Sequence, residues 1–147
     1  MRKFAIVLAV MMLSLTMSSS ARAETAIGAV FGYPGNVGLS LRFDTTPINV
    51  AWSEDFVHAT ADRWMIKKDL GEVDGRLAWY FGPGLDAGIP LDDAEDFFFA
   101  VRAPIGLQFM ATPKIELFGE VAPGLQLVDE TDFYWASNVG IRFVLGQ

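Results

Sequence analysis

The chain predicts an all-β protein, an antiparallel up-and-down transmembrane β-barrel of about eight strands preceded by a cleaved signal peptide. Three observations lead there. The first is strict alternation over residues 97–109, where Phe97, Phe99, Val101, Ala103, Ile105, Leu107 and Phe109 are apolar while Arg102, Pro104, Gly106 and Gln108 hold even positions. Successive strand side chains point to opposite faces, so this stretch has one greasy face and one polar or small face. The second is that this alternation recurs along the chain in segments bounded by turn residues. The third is an export signature. Arg2 and Lys3 precede the apolar run Phe4 to Leu15, and Ala21-Arg22-Ala23 is a small-x-small cleavage site. The expected boundaries are a signal peptide over 1–23 and a barrel domain over 24–147. The apolar run is shorter than the ~20 residues of a helical span, which weighs against an uncleaved anchor.

Each strand has its own local signature. Thr25 to Phe31 is the first, and Tyr33-Pro34-Gly35-Asn36 turns the chain because Pro presets φ and Gly tolerates positive φ. Val37 to Phe43 alternates Val37, Leu39, Leu41 and Phe43 with Gly38, Ser40 and Arg42. After the turn Asp44-Thr45-Thr46, Ile48, Val50 and Trp52 alternate with Asn49, Ala51 and Ser53. The fourth strand, Phe56 to Lys67, sets His58, Thr60 and Asp62 on one face, and Arg63 breaks the pattern in a way a bulge would restore. Lys68-Asp69-Leu70-Gly71 reads as its turn. The fifth, Val73 to Phe81, puts Leu77, Trp79 and Phe81 opposite Asp74, Arg76, Ala78 and Tyr80. Gly82 to Asp96 reads as the longest loop. The sixth strand is residues 97–109, and Thr112-Pro113 turns into a seventh beginning at Lys114. The eighth, Phe133 to Leu145, sets Phe133, Trp135, Val139, Ile141, Phe143 and Leu145 against Tyr134, Ala136, Asn138, Gly140 and Arg142. Short connections without a helical crossover suit a meander. An even strand count puts both termini on the periplasmic side and the 82–96 loop outside. Trp52, Trp79 and Trp135 fall on the greasy face as candidates for an interfacial girdle.

Composition narrows the function. Removing residues 1–23 takes away Arg2, Lys3 and Arg22 and moves the net charge from −7 to about −10. That balance argues against nucleic acid and anionic lipid surfaces as partners. With no cysteine, the chain has no disulfide, no Cys-based zinc site and no lipidated N-terminal cysteine.

The face opposite the greasy one collects Arg42, Asp74, Arg76, Arg102, Glu116, Glu120 and Arg142 among small residues. An eight-stranded interior is barely wide enough for its own side chains, so these charges are expected to pair into a plug. A narrow ion path and a gate are the competing functional readings. Glu116 and Glu120 lie on the strand between those of Arg102 and Arg142, which makes cross-strand pairing the expectation.

Catalytic signals are weak. Ser53, His58 and Asp62 form a Ser/His/Asp set on paper, but no nucleophile elbow accompanies the only histidine. No phosphate loop, His/Cys metal cluster or dinucleotide fingerprint is present. The expectation is no catalytic residue, no cofactor and no metal. Asp86, Asp92, Asp93, Glu95 and Asp96 have the oxygen density to hold calcium, but their spacing does not match an EF-hand, and a solvated acidic loop is preferred.

The mature chain resembles the small eight-stranded OmpA/OmpX-like barrels in its signal, alternating strands and charged interior. Residues 101–107 (VRAPIGL), 113–125 (PKIELFGEVAPGL) and 140–143 (GIRF) also resemble an uncharacterised family of short bacterial barrel proteins, as seen in spirochaetes. The resemblance implies a transmembrane barrel and carries no catalytic residue. The chain ends Phe143-Val144-Leu145-Gly146-Gln147, a departure from the terminal aromatic that barrel-assembly machinery usually reads.

The expected function is a non-enzymatic outer-membrane barrel with an envelope or surface-interaction role. Its expected partners are outer-membrane lipid, the assembly machinery and an extracellular partner through the 82–96 loop. The alternative is a soluble periplasmic or secreted lipocalin-like barrel that binds an apolar ligand. A lipid-modifying enzyme dependent on His58 ranks behind both.

Overall fold

The computed structural model describes residues 24–33, 35–72, 74–91, 97–128 and 131–146; the expected signal peptide lies outside them. The strands are β1 (Thr25–Tyr33), β2 (Val37–Phe43), β3 (Thr46–Trp52), β4 (Phe56–Asp62), β5 (Ile66–Glu72), β6 (Arg76–Phe81), β7 (Gly84–Pro90), β8 (Phe98–Arg102), β9 (Ile105–Thr112), β10 (Ile115–Gln126) and β11 (Asp132–Gly146). All pairings are antiparallel. The order β11-β1-β2-β3-β4-β7-β8-β10 closes through β10–β11 into a ring of eight, and β9, β6 and β5 extend it.

The eleven strands make eight staves. β4 and β5 form one interrupted stave, as do β6 with β7 and β8 with β9. The interruptions lie side by side at residues 63–65, 82–83 and 103–104. Hydrogen bonds bridge them: the Arg63 N–H donates to the Pro83 carbonyl (2.9 Å), Met65 to Phe81 (3.0 Å), Gly82 to Pro104 (3.4 Å) and Ala103 to Pro123 (3.0 Å). Pro83 and Pro104 lack the N–H that a continuous ladder needs, so the staves bend there. Met65 and Ile66 both stand against Phe81, which supplies the extra residue expected beside Arg63.

Two connections differ from the sequence reading. Lys68-Asp69-Leu70-Gly71 is strand, and the chain reverses between Glu72 and Arg76, where Asp74 has φ 53°. Residues 84–90 of the expected 82–96 loop are β7. Gly82-Pro83 looks like loop chemistry but occupies a stave break, and beyond it Leu85, Ala87 and Ile89 alternate with buried Asp86 and Gly88. Asp92, Asp93, Glu95 and Asp96 lie outside the described residues.

Register sets the shape. Pairing runs from Arg142 through Gly28, Ser40, Asn49, Thr60, Asp86, Ala100 and Gln126 to Asp132, ten residues from its starting point on β11. With ~3.3 Å per residue and ~4.8 Å between strands, that stagger tilts the strands about 41° to the barrel axis. The alternation then sorts side chains. Leu39, Leu107, Val121 and Val139 point outward, each about half exposed, while Arg42, Arg102, Glu116 and Arg142 point inward and are 0–4 % exposed.

Candidate functional site

The barrel interior is polar and ion-paired. At the end where the termini lie, Glu116 of β10 sits directly across from Arg142 of β11. The Glu116 carboxylate accepts from Arg142 Nη1 (2.9 Å), Arg42 Nη2 (2.8 Å) and Gln108 Nε2 (2.9 Å). Arg42 also donates to Glu24, and its Nη1 donates to the Asp44 carbonyl at 2.7 Å. Arg142 Nε reaches Ser40 Oγ at 2.7 Å, although β1 lies between their strands. It can do so because the intervening residue in the register is Gly28. Arg142 also lies 3.8 Å over the Phe118 ring.

A second cluster uses the same device. Asp62 of β4 and Arg102 of β8 are separated in register by Gly84, and a Cβ on Gly84 would overlap the Asp62 carboxylate. Arg102 Nε lies 3.0 Å from Asp62, and its Nη2 lies 2.7 Å from Glu120. Glu120 also accepts from the Tyr80 hydroxyl at 2.6 Å and from Asn138 at 3.3 Å. Above it, His58 Nδ1 is 3.4 Å from Asp86, and the Tyr134 hydroxyl donates to Asp86 at 3.1 Å. The side-chain polar atoms of buried Asn49 and Thr60 have no protein hydrogen-bond partner among the described residues; they face a cavity of about 20 Å³ beside His58 and Asp86. That volume admits about one water.

Glycines make the room. Tyr80 pairs with Gly106, Tyr134 with Gly124 and Phe118 with Gly140, and each ring fills the place a Cβ would take. Such small–large alternation is how a narrow barrel interior fills. Trp64, at the bend between β4 and β5, turns inward and is 4 % exposed. It stacks on Tyr80 at 4.1 Å, with Arg42 5.6 Å from its ring centroid.

Of the residues expected inside, Arg42, Arg102, Glu116, Glu120 and Arg142 meet in these clusters. Asp74 and Arg76 do not. They sit at the tip of the β5–β6 hairpin, where Arg76 makes a solvent-exposed pair with Asp69 at 3.6 Å. Strand parity sorted them to the inward face, but the hairpin runs past the end of the lumen. Asp62, Tyr80, Gln108 and Glu24 escaped the sequence reading as network members. Asp62, Tyr80 and Gln108 share inward parity with it, which was the available signal. Asp86 was hidden by the loop assignment, and Trp64 by the register change after it.

The Ser53, His58 and Asp62 set does not assemble. Ser53 Oγ exchanges hydrogen bonds with the Phe56 backbone, His58 faces Asp86, and Asp62 faces Arg102. Among the described residues, no group of three His, Asp or Glu side chains is placed to hold a metal ion.

No family model matches the chain, and no curated protein matches it. Among solved structures, the chain is similar to Ail, the attachment invasion locus protein of Yersinia pestis, at 10 % identity over 86 % of this chain and 100 % of that one, with a TM-score of 0.31. At that score too little backbone superposes for either chain to inform the other.

Proposed function

We propose that the protein is a non-enzymatic outer-membrane β-barrel of the OmpA/OmpX-like kind, with an envelope-structural or surface-interaction role and an interior closed by its own ion pairs. One observation carries this reading: the barrel is inverted relative to a soluble one. Half-exposed Leu39, Leu107, Val121 and Val139 cover the outside, while the interior holds Arg42, Arg102, Glu116, Glu120 and Arg142. A lipid-facing apolar band around a polar lumen is the arrangement of membrane barrels. It leaves no greasy lumen for the apolar ligand of a lipocalin-like protein. Tyr33, Trp52, Phe133 and Trp135 are exposed at one end of the barrel, as an interfacial girdle requires. The layers of Trp64 on Tyr80 and of Arg142 on Phe118 support a closed lumen.

The test is fractionation of cells expressing the full chain, with unboiled and boiled membranes compared on a denaturing gel. Outer-membrane recovery with a heat-dependent mobility shift is expected. Recovery as a soluble periplasmic protein overturns the reading. Reconstituted in a planar bilayer, the protein should show no sustained conductance steps.

A further inference from the structure

We propose that the mouth opposite the chain termini is a binding site for a small soluble alkylammonium compound. The proposal rests on the closed barrel and not on its membrane placement. A cleft of about 580 Å³ opens there. Four rings stand along its inner wall in sequence. Phe56 and His58 have centroids 5.7 Å apart at 37°, His58 and Phe98 5.7 Å at 68°, and Phe98 and Tyr134 5.3 Å at 89°. Two of the three pairs stand near edge-to-face, so the rings line the cleft at differing angles, and ring faces are where quadrupoles hold a cation.

Charge below the rings points to the same ligand. Asp86 is 1 % exposed and touches two of the rings, through His58 and the Tyr134 hydroxyl. Among the described residues no Lys or Arg lies within 4 Å of it; the nearby Arg102 is held by both Asp62 and Glu120. The clusters differ in balance. Among the described residues, the one near the termini pairs Arg42 and Arg142 with Glu24 and Glu116, whereas at this end Asp62 and Glu120 share Arg102 and Asp86 has no Lys or Arg. Asp86 lies directly behind His58 and Tyr134, two of the rings that line the cleft. Exposed Asp55 adds a carboxylate at the rim. Aromatic walls over a buried acid with no Lys or Arg partner suit a cation with an apolar shell, and they disfavour an anion.

The experiment uses the folded full chain, in detergent micelles or in buffer according to how it is recovered. Choline binding is followed by equilibrium dialysis, with ring resonances of the protein as a second readout. Saturable binding is expected. The neutral isostere 3,3-dimethylbutan-1-ol should bind at least tenfold more weakly, and phosphocholine, which carries an anion into the acidic mouth, should do the same. Asp86→Asn and Phe98→Leu should each weaken choline at least tenfold. The rim substitution keeps the test open if the buried one fails to fold. Absence of saturable choline binding by folded protein overturns the site. Equal binding of the isostere overturns the role of charge, and equal binding of phosphocholine overturns the assignment to a soluble cation.

Discussion

Glu116 is the residue on which the interior depends most. Fully buried, it pairs with Arg42 and Arg142 at once and accepts from Gln108. Removing one partner of a buried pair leaves a charge without solvent or counter-ion, which destabilises by about 3–5 kcal/mol. Glu116→Ala leaves Arg142 without a carboxylate and Arg42 with Glu24 alone, so a loss of about 3–5 kcal/mol is expected in urea unfolding of the refolded barrel. An unchanged midpoint would mean that water compensates both arginines. Trp64→Ala opens a cavity between Tyr80 and Arg42, and loss of a buried large aromatic costs about 3–5 kcal/mol. These residues were unequally legible. Glu116 announces itself through parity, whereas Trp64 precedes an extra residue that shifts parity and is visible only once Met65 and Ile66 are seen to share Phe81.

At the scale of the strand, faces are assigned by alternation, and glycine decides which inward side chains can meet. Gly84 stands between Asp62 and Arg102, so Gly84→Ala should push the Asp62 carboxylate off Arg102 and lower unfolding stability by about 3 kcal/mol. Gly119, whose added Cβ would meet Val139 at 3.6 Å, is the control expected to tolerate alanine. On the outward face, Val121 lies near the middle of β10 and is 49 % exposed. If that face meets hydrocarbon, Val121→Arg should cost about 2–4 kcal/mol in lipid vesicles. A loss near zero would mean that the face meets water. Strand identity could be read from alternation, yet strand ends could not. Lys68 to Gly71 and Gly82-Pro83 carry turn chemistry, and only pairing with the neighbouring staves holds residues 66–72 and 84–90 as strand.

Across the whole molecule, the staves end at uneven heights. β2 and β3 are seven residues each, whereas β5 continues the stave of β4 and all seven of its residues are exposed. In the proposed orientation the β5–β6 hairpin therefore projects on the periplasmic side. A protease site inserted at residues 73–75 should be cut in permeabilised cells and protected in intact ones, because exposed turn tips are where cleavage occurs. Cleavage in intact cells would reverse the topology.

The sequence by itself determined the all-β class, the count of eight staves and the sorting of most side chains to one face or the other. Those properties depend on a period of two and on local turns, which any short window reveals. Tertiary structure alone decided the ten-residue stagger, the bends that make eleven strands from eight staves, and the charge partners that do not lie on adjacent staves. Asp62 meets Arg102 and Arg142 meets Ser40 across a glycine on an intervening strand, and Arg42 meets Glu116 across the lumen. Those meetings arise from closure and tilt, which couple residues far apart in the chain.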